Sequence, residues 1–258
     1  MPYSASIRSI QEWLRARVRR DTAAWRALFA VKQAALRLEE RWRARDWEAA
    51  ELEFQERLRA LADARPDFFF VQVGAHDGGM DDPLRPWIEA RGWRGLFVEP
   101  QPEQFARLRE RHAAAPGRFI FENVAIDRTR GTRQLFRVDG AEHHAPEISG
   151  LASLLPDRAL ATHAALGRMR SIPVECVPLQ DLVERHGIAR IDLLQVDTEG
   201  HDAAVLETLA LDRVRPALIH YEHRHLSGAE QAACVRRLRR HGYRVRLKRH
   251  DAFAWTGD

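Results

Sequence analysis

The sequence is poor in the features of secreted and membrane-embedded proteins. Only two of its 258 residues are cysteines, Cys176 and Cys234, and they lie far apart. Two cysteines exclude a disulfide framework and a cysteine-based zinc site, and they indicate a reducing compartment. The first 20 residues are rich in arginine and lack the apolar core of a secretory signal, and no apolar run is long enough to span a bilayer. We therefore expect a cytoplasmic protein without a membrane span.

Glycine and proline are absent from residues 3–65, which predicts a helical segment. Apolar residues recur there at helical spacing in three runs. We expect one helix over residues 7–18, a second capped by Asp21 or Thr22, and a third after Asp46.

Pro66 ends this helical segment. The sequence therefore predicts a helical N-terminal extension over residues 1–65 and an enzyme domain over residues 66–258. Four of the seven tryptophans lie in the extension. Such side chains seek burial, so the extension could pack on the domain, roof a substrate pocket or form the contact of a homo-oligomer.

Lysine is nearly absent, so almost all of the positive charge comes from arginine. Residues 1–65 hold 14 basic and 10 acidic residues, whereas the rest of the chain holds 27 of each. A basic patch can bind nucleic acid. Acidic residues are interleaved here and no nucleic-acid-binding motif accompanies them, so we expect no nucleic-acid partner.

From Pro66 onward, apolar segments of strand length alternate with helical segments. Strands are predicted near residues 68–73, 95–98, 119–125, 191–196 and 216–221, and helices near residues 83–91, 102–114, 179–186, 201–210 and 228–241. This order predicts an α/β fold, with a mostly parallel sheet between two layers of helices. Two short strands around Arg249, His250 and Asp251 predict a final antiparallel hairpin. The stretch from Gly131 to Ile172 is expected to be irregular and to act as a lid or binding loop.

The first strand of the domain ends in a glycine turn, and the second ends in Glu99. Glycines of this kind let backbone approach a nucleoside cofactor, and the acid accepts hydrogen bonds from the ribose hydroxyls. NAD, FAD and S-adenosylmethionine sites share the pattern. The spacing is Gly74-x-x-x-Gly78, with His76 where a dinucleotide site needs glycine. Asp77 in the turn would repel a pyrophosphate and would suit the cationic amine of S-adenosylmethionine.

Five motifs in order give the sequence a resemblance to a known family. They are VQVGAHDG at 71–78, Asp82-Pro83, WRGLFVEP at 93–100, LQVDTEGHD at 194–202 and YEHRHL at 221–226. The chain resembles the FkbM-type S-adenosylmethionine-dependent methyltransferases, whose motifs read VQIGANDG, Asp-Pro, WRGLLVEP, LQIDTEGYD and YEHKHL. Two positions depart from that pattern, since His76 replaces an asparagine and His201 replaces a tyrosine.

This resemblance implies a Rossmann-like class I methyltransferase fold, a mostly parallel sheet of seven strands closed by an antiparallel hairpin. It also implies which residues bind the cofactor and the methyl acceptor. The expected cofactor-binding residues are Gly74, His76, Asp77, Gly78, Glu99, Asn123, Ala125 and Asp197, with Asn123 and Ala125 at the adenine. The expected acceptor-binding residues are Asp82, Glu199, His201 and His225.

Methyl transfer to a hydroxyl also needs a group that removes the acceptor proton. Carboxylates and histidines follow the fourth and fifth predicted strands, at the sheet edge where such sites lie. We expect His223 to be the general base, with Asp197 and Glu222 as its catalytic neighbours. Alternatively, these three residues could hold a divalent metal that orients the hydroxyl.

These observations predict an S-adenosylmethionine-dependent methyltransferase that acts on a hydroxyl of a sugar, a glycan or a natural product. A nicotinamide-dependent oxidoreductase on a Rossmann core is one alternative. The other is a non-catalytic scaffold that binds a nucleoside and recruits partners through its N-terminal helices.

Overall fold

The computed structural model describes residues 23–79, 82–138, 152–156 and 169–257, with side chains from residue 44 onward. Two compact units are present, Met1–Ala49 and Ala50–Asp258. One helix, α1, runs over Ala23–Ala64 and therefore continues from the first unit into the second. The prediction of a separate helix after Asp46 is wrong, because neither glycine nor proline interrupts the run and the helix continues through this residue. The helix expected over residues 7–18 lies outside the described residues.

The second unit is built on a sheet of seven strands in the order β3-β2-β1-β7-β8-β10-β9. The strands are β1 (Phe69–Val73), β2 (Arg94–Val98), β3 (Phe119–Glu122), β7 (Leu193–Val196), β8 (Leu218–Glu222), β9 (Tyr243–Leu247) and β10 (Asp251–Thr256). The first five in sheet order are parallel, whereas β10 runs antiparallel to both β8 and β9. The predicted α/β fold with its closing hairpin is therefore confirmed.

Five shorter helices connect the strands: α2 (Arg85–Arg91), α3 (Pro102–Arg111), α4 (Leu179–Arg185), α5 (Asp202–Glu207) and α6 (Gly228–Arg240). Local sequence signals account for several of their ends. Gly92 closes α2 in the left-handed conformation that favours glycine. Ser227 and Glu230 form a capping box at the start of α6, in which each side chain accepts a hydrogen bond from the other residue's backbone. In the described part of the chain, no helix is long and apolar enough to cross a membrane.

A second sheet of three strands, in the order β4-β6-β5, lies after β3 in the chain. Its strands are β4 (Ala125–Ile126), β5 (Gly131–Val138) and β6 (Met169–Val177). The prediction of one strand over 119–125 is wrong, because β3 ends at Glu122 and β4 pairs with β6 instead of the main sheet. The ends of the stretch expected to be irregular also pair, with β5 antiparallel to β6 over eight residue pairs. Residues 139–151 and 157–168 lie outside the described residues.

Apolar side chains fill both faces of the main sheet. The last four turns of α1 place Ala50, Phe54, Leu58 and Ala62 at a spacing of four residues, and all four are buried in one core cluster with β-strand side chains such as Phe253. This spacing aligns the four side chains on one face of the helix. Residues 50–64 therefore form part of the core of the second unit.

A buried polar network joins this part of α1 to the sheet. Lys248 Nζ lies 2.8 Å from His220 Nε2 and 2.5 Å from a carboxylate oxygen of Glu51, while His220 Nδ1 lies 2.9 Å from Gln195 Oε1. An ammonium group can only donate, so His220 Nε2 accepts a hydrogen bond from Lys248. The imidazole proton is therefore on Nδ1, which donates a hydrogen bond to Gln195 Oε1. The Phe54 ring packs on the imidazole, at 4.5 Å between centroids. His220 therefore has a structural role.

Candidate active site

A pocket lies at the carboxyl ends of β1, β2 and β7, where the order of the parallel strands reverses. Its empty volume is about 530 Å³, part of which is open solvent. Residues from the three strand ends, from the start of the second sheet and from the segment 152–154 line it. Open α/β sheets bind ligands at this topological position. The lining residues are Val73, Gly74, His76, Val98, Glu99, Pro100, Gln101, Val124, Ala125, Ile126, Leu135, Ala152, Leu154, Asp197, Thr198 and His201.

Gly74 allows the loops after β1 and β7 to approach each other. Its φ is +84°, and a Cβ placed on it would lie 1.8 Å from the carbonyl oxygen of Asp197. Its backbone N–H donates to Val98 across the neighbouring strand, while the N–H of Asp197 donates to Val73. No other residue type fits this position, because a side chain would separate the two loops.

Glu99 is buried in the wall of this pocket, and two backbone groups hold its carboxylate. The N–H groups of His76 and Gln101 donate to its two oxygens, each at 2.8 Å. Burial raises the pKa of Glu99 to about 7, and those two hydrogen bonds partly offset the increase. The carboxyl group is thereby fixed in position, with lone pairs that remain available to a ligand hydroxyl.

The structure places the other expected cofactor residues in two groups. His76, in a left-handed conformation with φ of 50°, lines the pocket, as does Ala125. Asp77, Gly78 and Asn123 do not belong to the described lining. They support the pocket from behind.

These supporting contacts are specific. The carboxylate of Asp77 lies 3.0 Å from Arg111 of α3 and accepts a hydrogen bond from the backbone of Gly79. A Cβ on Gly78 would lie 2.6 Å from the Leu108 side chain, so this glycine permits close packing of the turn on α3. Asn123 donates to the backbone carbonyl of Glu99 at 2.7 Å.

Next to the pocket, the loops after β7 and β8 and the start of β10 bring five carboxyl groups together: Asp197, Glu199, Asp202, Glu222 and Asp251. Burial raises the pKa of Glu222 to about 9, and the nearby carboxylates add to the increase. The same causes raise the pKa of Glu199 to about 7 and, chiefly through burial, that of Asp202 to about 6. The five groups therefore do not all carry a charge at neutral pH.

Unlike the other four residues of this group, Asp197 is exposed to solvent. It lines the pocket, however, and the protein atoms around its carboxyl group displace part of the surrounding water. Desolvation therefore raises the pKa of Asp197 well above its ordinary value, and the charges of Asp202 and Glu199 raise it further.

His225 is the histidine that contacts these carboxylates. Its Nε2 lies 3.2 Å from Glu199 Oε2 and 3.6 Å from Glu222 Oε1. His223, the expected general base, is oriented differently, since its Nε2 lies 3.3 Å from the carbonyl oxygen of Lys248. Its Nδ1 is buried and has no hydrogen-bond partner among the described residues.

Two expected acceptor-binding residues have other contacts. Asp82 accepts hydrogen bonds from the side chain of Gln72 and the backbone of Leu84, just before α2. His201 lines the pocket, with its Nε2 at 3.1 Å from Asp127 Oδ1.

Sequence reasoning gave no role to Asp202 and Ser153. Asp202 is fully buried and accepts hydrogen bonds from Thr198, from the backbone of Gly200 and from the backbone of Glu222, so it joins the loops after β7 and β8. The sequence did contain a signal for Asp202, since this residue is the last of the motif that begins at Leu194. Ser153 donates to the carbonyl of Glu199 at 2.9 Å and follows no recognisable motif.

The seven-stranded sheet and the pocket at its switch point define a class I methyltransferase fold. The model of the methyltransferase FkbM domain family matches residues 72–245, about two thirds of the chain. The chain therefore belongs to this family, and the family assignment predicted from the motifs is confirmed. No curated protein matches the sequence significantly.

Solved structures of several methyltransferases are similar to the chain at low identity. The methyltransferase FkbM from Methylobacillus flagellatus is 13% identical, with a TM-score of 0.48 over 74% of this chain and 44% of that one. Precorrin-6y C5,15-methyltransferase from Geobacter metallireducens is 13% identical, with a TM-score of 0.37 over 77% of this chain and 88% of that one. The N-terminal domain of human METTL16 in complex with SAH is 11% identical, with a TM-score of 0.43 over 80% of this chain and 70% of that one. The chain thus spans less than half the length of the FkbM structure.

Proposed function

We propose that this protein transfers a methyl group from S-adenosylmethionine to a hydroxyl of a sugar, a glycan or a natural product. The observation that carries this proposal is the pocket itself. A fixed carboxyl group, Glu99, stands beside an apolar wall, and the pocket opens at Asp197 towards a cluster of carboxyl groups.

The residues present fit this cofactor. Glu99 would accept hydrogen bonds from the ribose hydroxyls, because two backbone N–H groups already hold its carboxyl group in place. The apolar side chains of Val98, Ala125 and Ile126 would contact the adenine ring. When bound, the cofactor supplies a methyl group on a sulfonium, which an acceptor oxygen can attack. The close approach of the loops at Gly74 and Asp197 keeps the pocket narrow where these two loops meet.

The acceptor proton has to pass to a group of this chain. His225 is better supported in this role than His223, since it contacts Glu199 and Glu222 and His223 faces a backbone carbonyl. Glu222 is a poor base at neutral pH, because a carboxyl with a pKa of about 9 is already protonated. The Glu199 carboxylate beside His225 would stabilise the imidazolium that forms.

Calorimetry on the full chain tests the cofactor. S-adenosylhomocysteine should bind at micromolar affinity or better, and NAD should not bind. Glu99→Ala should weaken binding by about 1–3 kcal/mol, because the ligand hydroxyls lose their acceptor. Glu110→Ala, on the exposed side of α3, is the control and should leave affinity unchanged. Tighter binding of NAD than of S-adenosylhomocysteine would refute the methyltransferase proposal.

Transfer of a labelled methyl group to a panel of hydroxyl acceptors tests the reaction and its base. With an active acceptor, His225→Ala should lower turnover by ~10²–10⁴-fold while cofactor affinity stays the same. His223→Ala is the comparison, and a larger loss in that variant would return the role of base to His223.

A further inference from the structure

Three side chains next to the pocket have the spacing of metal ligands. One ligand atom each from Glu199, Glu222 and His225 lies within 4.8 Å of the other two. Around a cation with bonds of about 2.1 Å, neighbouring ligand atoms are roughly 3 Å apart and opposite ones roughly 4.2 Å apart. The distances from His225 Nε2 to the two carboxylates, 3.2 and 3.6 Å, fall in this range. The three atoms could therefore occupy adjacent positions around one cation, with water or a substrate oxygen at its remaining positions.

A buried oxygen in this cluster has no partner. Glu222 Oε2 is inaccessible to solvent and makes no hydrogen bond to any described residue. Only 12% of the Glu222 side chain is exposed. Most buried carboxylate oxygens have a donor or a cation. Glu222 Oε2 is one of several exceptions among the described residues, as is Asp82 Oδ2. Because it is on the residue that faces His225, it is available as a ligand for an ion bound between the two side chains.

Among the described residues, few positive charges act on these carboxyl groups. Arg224 acts on Glu199 at long range, and Lys248 lies 3.7 Å from Asp251. Lys248 already contacts Glu51 and His220 in the core. Several carboxyl groups thus face one small volume. Without an ion, protonation of some of them relieves the repulsion, and a bound cation would compensate them in their ionised forms.

The loops that carry the three side chains are held in place. Asp202 accepts hydrogen bonds from the backbone N–H groups of Gly200 and Glu222, one on each loop. Ser153 donates to the carbonyl of Glu199, whose φ of 52° directs its side chain from a left-handed backbone. The ligand positions are therefore set before any ion binds, which lowers the cost of binding.

We propose that Glu199, Glu222 and His225 bind a divalent cation. Two carboxylates and an imidazole suit Mn²⁺ well, since it accepts both oxygen and nitrogen ligands. With the cation bound, His225 Nε2 would be a ligand and no longer the base. The cation would then hold the acceptor hydroxyl beside the cofactor pocket and lower its pKa, so that its proton could pass to water; this role rests on the proposed methyl transfer. Binding of the cation does not depend on that function.

Titration of the full-length protein with Mn²⁺ alone, followed by the EPR signal of the free ion, tests the proposal. The signal should fall as a single class of site fills. Glu222→Gln and His225→Ala should each weaken binding by at least ~10-fold, since each removes a direct ligand. Glutamine has the shape of a protonated glutamic acid, so Glu222→Gln should fold normally, which thermal unfolding checks.

Two matched variants control for the loss of a charge and of an imidazole. Glu184→Gln removes an exposed carboxylate that pairs with Arg213, and His241→Ala removes a histidine at the far end of α6. Both should bind Mn²⁺ like the unaltered protein. Absence of Mn²⁺ binding at millimolar concentration would overturn the proposal, as would variants Glu222→Gln and His225→Ala that bind Mn²⁺ as tightly as the unaltered protein.

Calorimetry with S-adenosylhomocysteine separates the two proposals. Cofactor binding without Mn²⁺ binding would reject the cation site and keep the methyltransferase function. Mn²⁺ binding without cofactor binding would keep the site and reject the function.

Discussion

Replacement of Gly74 by alanine should disrupt the pocket more than replacement of any glycine with a similar backbone elsewhere. The new Cβ would lie 1.8 Å from the carbonyl oxygen of Asp197. An ordinary carbon–oxygen contact requires the two loops to separate by roughly 1.5 Å more. Such a shift breaks the hydrogen bonds from Gly74 to Val98 and from Asp197 to Val73.

Gly117 provides a matched control. Its φ is +76°, close to the +84° of Gly74, but a Cβ on it would have nothing within 4 Å. Gly117→Ala should therefore lower the free energy of unfolding only by the cost of an alanine in the left-handed conformation, about 1–2 kcal/mol. The lower conformational entropy of the unfolded variant offsets part of this loss. Gly74→Ala has the same cost and also loses two buried hydrogen bonds, at about 1–3 kcal/mol each.

Thermal unfolding and calorimetry measure the difference. Gly117→Ala should lower Tm by about 2–4 °C, whereas Gly74→Ala should lower it by roughly 10 °C or more. Only Gly74→Ala should lose binding of S-adenosylhomocysteine, because only that substitution moves Glu99 and Asp197 apart. Equal Tm and equal ligand affinity in the two variants would show that the close approach of the loops is not needed.

Three other perturbations test separate parts of the structure. Lys248→Met should lower the free energy of unfolding in urea by about 1–3 kcal/mol, because the buried imidazole that it contacts loses its donor; an unchanged value would reject the role of the polar network. Glu199 and Glu222 have raised pKa values in the folded state, about 7 and about 9, so the stability that they contribute at low pH is lost as the pH rises through those values. Stability without added metal should therefore fall by about 1–3 kcal/mol between pH 7 and pH 9, and a rise would contradict the folded-state pKa of Glu222. Removal of residues 1–64 should cause aggregation, since it exposes an apolar sheet face, whereas removal of residues 1–44 should not; a monodisperse shorter chain would show that the last turns of α1 are dispensable.

The sheet could be predicted from the sequence because its strands are apolar runs of the right length between glycine and proline turns. The hairpin of β9 and β10 was visible for a different reason, since two short stretches of strand-forming residues flank the polar residues Arg249 and His250. The extension was harder to interpret. The spacing of its apolar residues is compatible with several helices or with one. The continuous helix α1 is explained by the absence of a helix-breaking residue near Asp46, and not by that spacing. The strands β5 and β6 were missed because turn residues between them suggested an irregular loop.

The candidate site was predicted in its location but not in its contacts. Glu99 and Asp197, predicted from the strand ends, line one pocket, and Glu222 lies near Asp197; their functional roles stay predictions. The sequence analysis assigned the base to His223 and acceptor binding to His225, but the direction of each side chain depends on how the chain turns after β8, which the sequence does not determine. The roles of both as base or ligand stay predictions.

The pairing of β5 with β6 has a consequence for how the substrate range of this fold can change. Eight residue pairs anchor both ends of the insertion between Val138 and Met169, and Arg137 is further fixed by a bidentate ion pair with Glu103 of α3. Lengthening a loop between anchored ends costs only about 0.6 kcal/mol for each doubling. The segment between these strands can therefore differ in length and composition while β5 and β6 stay paired. Under the prediction that this segment binds the acceptor, the acceptor can change without a change in the sequence of the pocket.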